Sequence, residues 1–298
     1  MTPAKPTAVG ILCEPFLYEW HVRSVERLQA EASANVPLVV SNAATREHEA
    51  ESWNTRDRIG LDDVVQFFDV FRRQKAWTVV LAERNVGRLL GDEEPLWHRR
   101  SVENVECLAD ADHVRCEPRR EDGWFEFPDD VVARIAERCD VVILFGFGLI
   151  RGKILNAPEY GVLNVHPADI RRYRGLGPET AFYDGRTSAG ATVQRLNETV
   201  DGGEIVAFDE TDISDCDTLW DVWERIVTLQ ARLLAEAVDN LRDPTFEPTS
   251  VPDEQLGDFY YRSHRHGPEF SGRILAKNLF GRIRRQFRKA DVAGGRSI

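Results

Sequence analysis

The first half of the chain alternates short apolar runs with amphipathic segments. Apolar runs typical of buried strands lie at residues 8–13, 36–40, 77–82 and 140–145. Segments with helical spacing or helix-start signals lie at residues 19–30, 62–71 and 128–138. Weaker strand signals at residues 105–108 and 124–127 flank a turn at residues 117–123. This alternation predicts an α/β fold with a doubly wound, mostly parallel sheet.

The second half predicts antiparallel strands and a long helix. Residues 189–197 and 204–208 alternate apolar with small or polar positions, so we expect antiparallel strands at one edge of the sheet. Residues 214–217 are acidic and polar and are predicted to cap a long helix with an apolar face from Leu219 to Val238.

The end of the chain predicts a separate module. We expect a core domain at residues 1–244, a linker rich in Pro, Thr, Ser and acidic residues at 245–256, and a basic amphipathic tail at 257–298. Residues 273–289 contain seven basic residues and no acid. This segment is compatible with contact to an anionic membrane, to RNA or to the acidic body of the protein, and docking onto the body is favoured.

Bulk composition bounds the class of protein. The 298 residues are 42% hydrophobic, which supports a sizeable core, and the net charge of −12 argues against a generally nucleic-acid-seeking surface. Only five basic residues are lysines and 33 are arginines, which suits a high-salt cytoplasm and GC-rich coding equally well. Five scattered cysteines are predicted to be small buried residues without disulfides, and no apolar signal core is present. We therefore expect a cytoplasmic protein.

One stretch carries the candidate chemistry. Asn164 and His166 alternate with apolar residues of a short strand, so their side chains point to one face, and Pro167 ends the strand. An amide and a protonated imidazole can stabilise an oxyanion, and a neutral imidazole can relay a proton. Asp201, in a turn with two glycines, is placed to orient the imidazole. These residues predict acyl transfer to an amine; the alternative is a polar strand end beside an unrelated acidic turn.

A wider constellation supports the chemical interpretation. In chain order it reads Asn164-x-His166-Pro167, Tyr173-Arg174-Gly175, Gly190-x-Thr192-Val193 and Asp201-Gly-Gly-Glu-Ile205. In order and spacing it resembles the folate-dependent formyltransferases, which include the glycinamide ribonucleotide, methionyl-tRNA and nucleotide-sugar enzymes. The match is dense from about residue 140 to 210 and weak before it. Residues 42–127 are therefore expected to contain an insertion.

The resemblance implies roles for named residues. It makes Asn164, His166 and Asp201 catalytic, with 10-formyltetrahydrofolate as the formyl donor and no metal. The residues implied to contact the donor are Leu144, Phe145, Gly146, Phe147, Gly148, Leu149, Glu198 and Val200. Ile170-Arg171 and Asp201-Gly202-Gly203 depart from the usual family pattern, which bears on substrate fit and not on the catalytic groups.

The expected acceptor is a primary amine, and an amino sugar on a nucleotide carrier is the first choice. Residues 14–18 lack the glycines of a phosphate loop, and the 54 residues after position 244 are fewer than the carboxy-terminal barrel of methionyl-tRNA formyltransferases needs. A glycinamide ribonucleotide or methionyl-tRNA acceptor, a formyltetrahydrofolate hydrolase and a non-catalytic binding protein on the same scaffold stay open as alternatives. The oligomeric state is left open as well.

Overall fold

The computed structural model describes residues 7–45, 71–89, 91–92 and 95–294. The strands within these ranges are β1 Thr7–Cys13, β2 Phe16–Tyr18, β3 Ala34–Asn42, β4 Arg99–Ser101, β5 Asp112–Cys116, β6 Arg119–Glu121, β7 Trp124–Glu126, β8 Val141–Leu144, β9 Leu149–Ile150, β10 Val162–His166, β11 Tyr173–Gly175, β12 Ser188–Arg195, β13 Glu204–Asp212 and β14 Asp258–Tyr260. The α-helices within them are α1 Glu19–Glu31, α2 Trp77–Leu89, α3 Asp129–Arg138, α4 Pro178–Asp184, α5 Leu219–Arg242 and α6 Pro268–Gly294.

The main sheet has seven strands in the order β13-β12-β10-β8-β1-β3-β5. The five strands from β10 to β5 are parallel, and β12 and β13 add antiparallel strands beyond β10. Both the doubly wound α/β fold and its antiparallel edge are therefore confirmed. Strand β10 lies between β8 and β12, and its register places Asn164 beside Leu144 of β8 on one side and Gln194 of β12 on the other.

Apolar residues cover both faces of the sheet. One layer joins β1, β8 and β10 to α1 and α5 and includes Ile11, Leu28 and Leu233. The other joins the opposite face to α3 and includes Leu12 and Ile135. Buried residues alternate along β1 between these two layers, as expected for a strand with helices on both sides.

Two predicted strands are wrong. Residues 77–82 begin helix α2, in which the buried residues Trp77, Val80, Glu83 and Gly87 recur at helical spacing. The β-branched run Thr78-Val79-Val80 suggested a strand, but packing against α6 outweighs that weak preference. Residues 105–108 lie in 3-10 turns because their chain reverses beside α1 and not along a neighbouring strand.

Other local predictions agree with the structure or fall outside it. The strand signal at residues 124–127 corresponds to β7, and the helix signal at 128–138 corresponds to α3. The helix predicted at residues 62–71 lies, except for its last residue, outside the described residues. The cap of α5 is Thr218 and not the preceding residues 214–217, because Thr218 and Asp221 form a reciprocal capping box.

The cysteines differ in part from the expectation. All five are free, and Cys13, Cys116 and Cys139 are buried, whereas Cys107 and Cys216 are half-buried. Helices in the described ranges include none with the length and apolar character that a bilayer crossing requires. The cytoplasmic location stays a prediction.

The carboxy-terminal segment contacts the body at several points. Strand β14 pairs in parallel with β11, and the Gly257 N–H donates to the Ile170 carbonyl at 2.9 Å. In α6, Ile274 is fully buried in an apolar cluster with Leu219 of α5. The three-part division of the chain concerns independent folding and stays a prediction, but residues 258–288 are docked on the body, as the favoured alternative proposed.

Candidate active site

His166 and Asp201 meet at the carboxyl end of β10. The imidazole Nδ1 lies 3.3 Å from Asp201 Oδ1, and Nε2 lies 3.1 Å from the backbone carbonyl of Tyr173. Because a carbonyl and a carboxylate only accept hydrogen bonds, both ring nitrogens must donate. The geometry therefore favours the doubly protonated imidazolium form of His166.

Charge and burial act in opposite directions on this pair. Burial alone would lower the pKa of His166, but the Asp201 carboxylate and the Tyr173 carbonyl raise that pKa above its ordinary value. Burial alone would raise the pKa of Asp201, but the charge of His166 and hydrogen bonds from the Gly175 N–H and Gln194 lower that pKa to about 2. The pair is thus an imidazolium beside a carboxylate.

A buried side chain of the sheet, Gln194, holds the turn that carries Asp201. Asp201 has a left-handed backbone with φ of 48°, which Asp tolerates better than most residues. Gly203 follows because an added Cβ would lie 2.2 Å from the Arg195 carbonyl oxygen. Gln194 of β12, which is fully buried, accepts from the Gly203 N–H at 3.0 Å and donates to Asp201 Oδ1 at 3.4 Å. One amide side chain therefore fixes both the turn and the Asp201 carboxylate.

Gln194 is the functional candidate that the sequence interpretation missed. It faces Asn164 directly across the antiparallel pair of β10 and β12. A long amide among small and apolar residues of a predicted edge strand was the available signal. Its meaning required the register of that pair, which is a long-range property of the fold.

Asn164 lies beside the pair on the same face of β10. Its side chain is half-buried, and no hydrogen bond to its amide is formed by the described residues. The amide N–H is thus available to a ligand oxygen at the strand end.

The loop after β8 contains the residues that were implied to contact the donor. Leu144 and Phe147 are buried, and Phe147 packs on Phe127 with ring centroids 4.9 Å apart, so their side chains belong to the core. Gly148 and Leu149 are exposed. The N–H groups of residues 145–147 already donate to the Leu12 carbonyl or to Glu14, which leaves the backbone carbonyls of this loop and the exposed side chain of Leu149 for a ligand.

Phe145 and Gly146 connect this loop to the end of β1. The Phe145 ring stacks on His21 with a centroid separation of 4.3 Å and an interplanar angle of 22°. An added Cβ at Gly146 would lie 2.5 Å from the Glu14 backbone nitrogen, so glycine is needed there for close approach of two backbones. Glu14 Oε1 also accepts from the Phe147 N–H at 3.1 Å. The Glu14 carboxylate thus lies at the end of β1, where residues 14–18 lack the glycines of a phosphate loop.

The remaining two implied donor contacts lie in the turn before Asp201. Glu198 is exposed and Val200 is half-buried. The turn is closed by the Asn197 side chain, which donates to the Gly202 carbonyl at 2.9 Å. Glu198 and Val200 adjoin Asp201 in the chain. The loop at residues 144–149 follows β8, which neighbours β10 in the sheet.

An aromatic and cationic rim borders the amino end of α1. The Tyr18 ring meets Trp97 at 5.4 Å between centroids, and the Arg99 guanidinium lies 4.2 Å from the Phe16 ring centroid. Trp97 also meets Trp223 of α5 edge-on at 5.5 Å. Planar and cationic groups therefore share one partly exposed surface.

Within the described ranges, no three His, Cys, Asp or Glu side chains come close enough together to form a metal site, and this includes the side chains near His264. The His264 Nδ1 lies 3.1 Å from the Tyr261 carbonyl.

Comparison with known proteins agrees with this arrangement. A family model described as Formyl transferase matches residues 110–238, which contain Asn164, His166 and Asp201. Residues 110–238, which are less than half of the chain, match the formyl transferase family. The matched segment runs from just before β5 to the last turns of α5, so it includes Asn164, His166, Asp201 and the loop after β8, whereas the rim at residues 16–18 and 97–99 lies outside it.

Curated relatives match the chain over part of their length. A methionyl-tRNA formyltransferase from Fusobacterium nucleatum is 31% identical over 107 residues, which are 35% of this chain and 34% of that protein. One from Acidovorax ebreus is 31% identical over 135 residues, which are 43% of this chain and 42% of that protein. The chain spans about a third to two fifths of the length of these relatives.

Solved structures share the fold. A sugar N-formyltransferase from a Shewanella species superimposes with a TM-score of 0.52 and 14% identity over 92% of this chain and 88% of that chain. A formyltetrahydrofolate deformylase from Pseudomonas syringae gives a TM-score of 0.50 and 15% identity over 86% of this chain and 67% of that chain. At these identities the likeness concerns the fold alone.

Proposed function

We propose that the protein transfers a formyl group from 10-formyltetrahydrofolate to a primary amine. The observation that carries this proposal is the contact between His166 and Asp201 beside the amide of Asn164, which has no partner among the described residues. Transfer forms a bond between the amine nitrogen and the formyl carbon and breaks the bond from that carbon to N10 of the donor. One proton leaves the amine and one reaches N10.

Each of the three residues has a role in that exchange. The Asn164 amide and the positive charge of His166 stabilise the negative charge that develops on the formyl oxygen. Asp201 keeps His166 protonated and fixes its ring. The proton on Nε2 points to the Tyr173 carbonyl, so its transfer to a leaving nitrogen requires β11 to move away from the ring.

The donor fits the residues beside the pair. Leu149 presents an exposed apolar side chain, and the turn at Glu198 and Val200 borders the Asp201 carboxylate. We infer that a pterin ring lies between the residues 144–149 loop and this turn, held mainly by backbone groups. The donor supplies the activated formyl carbon, and the protein supplies position and charge.

For the acceptor we propose an amino sugar on a nucleotide carrier. The rim formed by Phe16, Tyr18, Trp97 and Arg99 supports this choice, since a base can stack on aromatic rings and phosphates are anionic. Glu14 disfavours a phosphate at the end of β1, so we place the phosphates at the rim and not at the strand end.

A methionyl-tRNA acceptor is the second candidate. The names of the curated relatives, which are methionyl-tRNA formyltransferases, favour this acceptor. A tRNA acceptor would use an extended basic surface, whereas a nucleotide-linked sugar needs only the rim.

The test is turnover of 10-formyltetrahydrofolate with a panel of nucleotide-linked amino sugars and methionyl-tRNA. We expect formylation of an amino sugar, and Trp97→Ala should raise the KM for it several-fold while leaving the KM for the donor unchanged. Tyr183→Ala is the matched control, because Tyr183 is also half-buried but its ring stacks on Phe270 of α6 at 4.5 Å and not on the rim. Formylation of methionyl-tRNA alone would replace the sugar proposal, and donor hydrolysis without any acceptor would refute transfer.

A further inference from the structure

Exposed apolar side chains concentrate on two helices. Ten large apolar side chains are exposed among the described residues, and seven of them lie on α2 and α6. On α2 they are Val79, Val86 and Leu89, and on α6 they are Leu279, Phe280, Ile283 and Phe287. Phe280 and Phe287 are 74% and 66% exposed. Such a concentration is typical of an interaction surface, whereas single exposed apolar residues are not.

The two helices pack side by side in the same direction. Trp77 lies beside Phe270 with ring centroids 6.3 Å apart, and further along, Glu83 accepts from Asn278 at 2.7 Å and from Arg282 at 2.5 Å. With this parallel contact, the helical periodicity places Val79 and Val86 of α2 on the same side of the pair as Leu279 and Ile283 of α6. Phe280 and Phe287 adjoin Ile283, from which they are three and four positions away on α6, and we call these six residues the α2–α6 surface.

The same helices carry a local excess of positive charge. Residues 71–89 and 268–289 contain twelve basic residues and two acidic ones, in a chain whose net charge is −12. Three further carboxylates, Asp92, Asp217 and Asp221, contact the arginines of α6. Around α2 and α6, basic residues therefore still outnumber acidic ones.

The arginines of α6 border the apolar stripe. Arg284, Arg285 and Arg288 all contact the single carboxylate of Asp217. Arg284 and Arg288 keep 56% and 54% of their side chains exposed. Arg285 also contacts Asp92 and Asp221, so Asp217 is left to the two more exposed arginines, and their positive charge exceeds its single negative charge beside Phe280 and Phe287.

We propose that the α2–α6 surface binds the face of an anionic lipid bilayer, with the phenylalanines inserted among the acyl chains and the arginines at the headgroups. A helix lying in a membrane interface combines an apolar stripe with bordering cations, as α6 does. A second copy fits less well, because a two-fold contact would place the positive charge of one surface against the same charge of the other. RNA would leave the aliphatic residues of both helices unused.

The experiment is co-sedimentation of the full-length protein with phosphatidylcholine vesicles, with and without phosphatidylglycerol. We expect binding only with phosphatidylglycerol. The double variant Phe280→Ser/Phe287→Ser should bind at least about tenfold more weakly, because two large apolar groups no longer insert. Arg284→Gln/Arg288→Gln should weaken binding at low salt more than at high salt.

The matched control is Tyr261→Ser, since Tyr261 is 61% exposed but lies outside the α2–α6 surface. It should bind like the wild type. Equal sedimentation with both kinds of vesicle, or none with phosphatidylglycerol, overturns the proposal. So does a wild-type dimer in sedimentation velocity that the Phe280→Ser/Phe287→Ser variant converts to monomer. Binding of single-stranded RNA that depends on both phenylalanines, by a protein that does not sediment with phosphatidylglycerol vesicles, overturns it as well.

Discussion

Asp201 and Asp217 are both carboxylates with little exposed side chain, and both contact cationic groups, but their partners differ in kind. Asp201 has one cationic partner, His166, and its oxygens also accept from the Gly175 N–H at 2.8 Å and from Gln194. Asp217 has three arginine partners, all from α6. Asp201 is held by several donors beside an imidazole that can titrate, whereas Asp217 attaches α6 to the rest of the protein.

The two carboxylates differ in what their partners can do. An imidazole can gain or lose a proton near neutral pH, while a guanidinium stays protonated. Fixed short donors orient the Asp201 carboxylate, whereas long arginine side chains can adjust around Asp217. We therefore expect changes at Asp201 and His166 to affect turnover, and changes at Asp217 to affect stability.

The largest expected effect is at the catalytic pair. His166→Ala should lower kcat by ~10²-fold or more and leave donor affinity nearly unchanged, because general acid–base groups contribute that much to the transition state. The measurement is steady-state turnover together with donor binding by calorimetry. His113→Ala is the control, since His113 of β5 also places Nε2 near a carbonyl, that of Leu108 at 3.1 Å, but is exposed. Equal losses of donor affinity and rate would make His166 a binding residue.

A smaller effect is expected at the structural attachment. Asp217→Asn should lower the free energy of unfolding by about 1–2 kcal/mol, because three half-exposed arginines lose a shared partner but remain partly hydrated. Urea unfolding measures this loss, and turnover of the folded variant should be unchanged. Asp209→Asn, which removes an exposed partner of Arg232, should change stability by less than about 0.5 kcal/mol. Loss of turnover in folded Asp217→Asn would contradict the separation of the two regions.

The sequence was informative where contacts are local. Asn164 and His166 are two residues apart on one strand, so alternation placed them on one face, whereas Asp201 was joined to them by the resemblance to the formyltransferases. The parallel sheet also followed from local periodicity. Each of these signals lies within a few residues of the feature that it predicts.

The rest depends on contacts between distant segments. The α2 helix was mistaken for a strand because its burial depends on Glu83 meeting Asn278, 195 positions later. The three arginines of α6 could be seen as basic residues, but their partner Asp217 lies 67 to 71 residues away. Gln194 likewise gains its meaning only from the register with β10. Periodicity carries no information about such partners.

The smallest effect is expected at the residue that supports the pair. Gln194→Leu should lower kcat roughly tenfold and shift the pH dependence of kcat, because Asp201 loses a donor and the turn loses the acceptor of the Gly203 N–H. Gln230→Leu is the control, since Gln230 is also a buried glutamine and donates at 2.9 Å to the Val165 carbonyl, but does not contact the pair. It should reduce stability without changing the pH profile. The same pH shift in both variants would show that Gln194 acts only through the fold.

The coupling of His166 to Asp201 is the central claim, and a titration of His166 by nuclear magnetic resonance tests it most directly. In the wild type, the midpoint should lie above the ordinary value of 6.5, because the Asp201 charge outweighs burial. The pair should then stabilise the fold most between the ordinary pKa of Asp, 3.8, and that of His, 6.5, and this contribution should fall as pH rises through the midpoint of His166. In Asp201→Asn the midpoint should fall below that of the wild type, because burial is then opposed only by the Tyr173 carbonyl and the charge of Glu179. Equal midpoints in the two proteins would contradict the account.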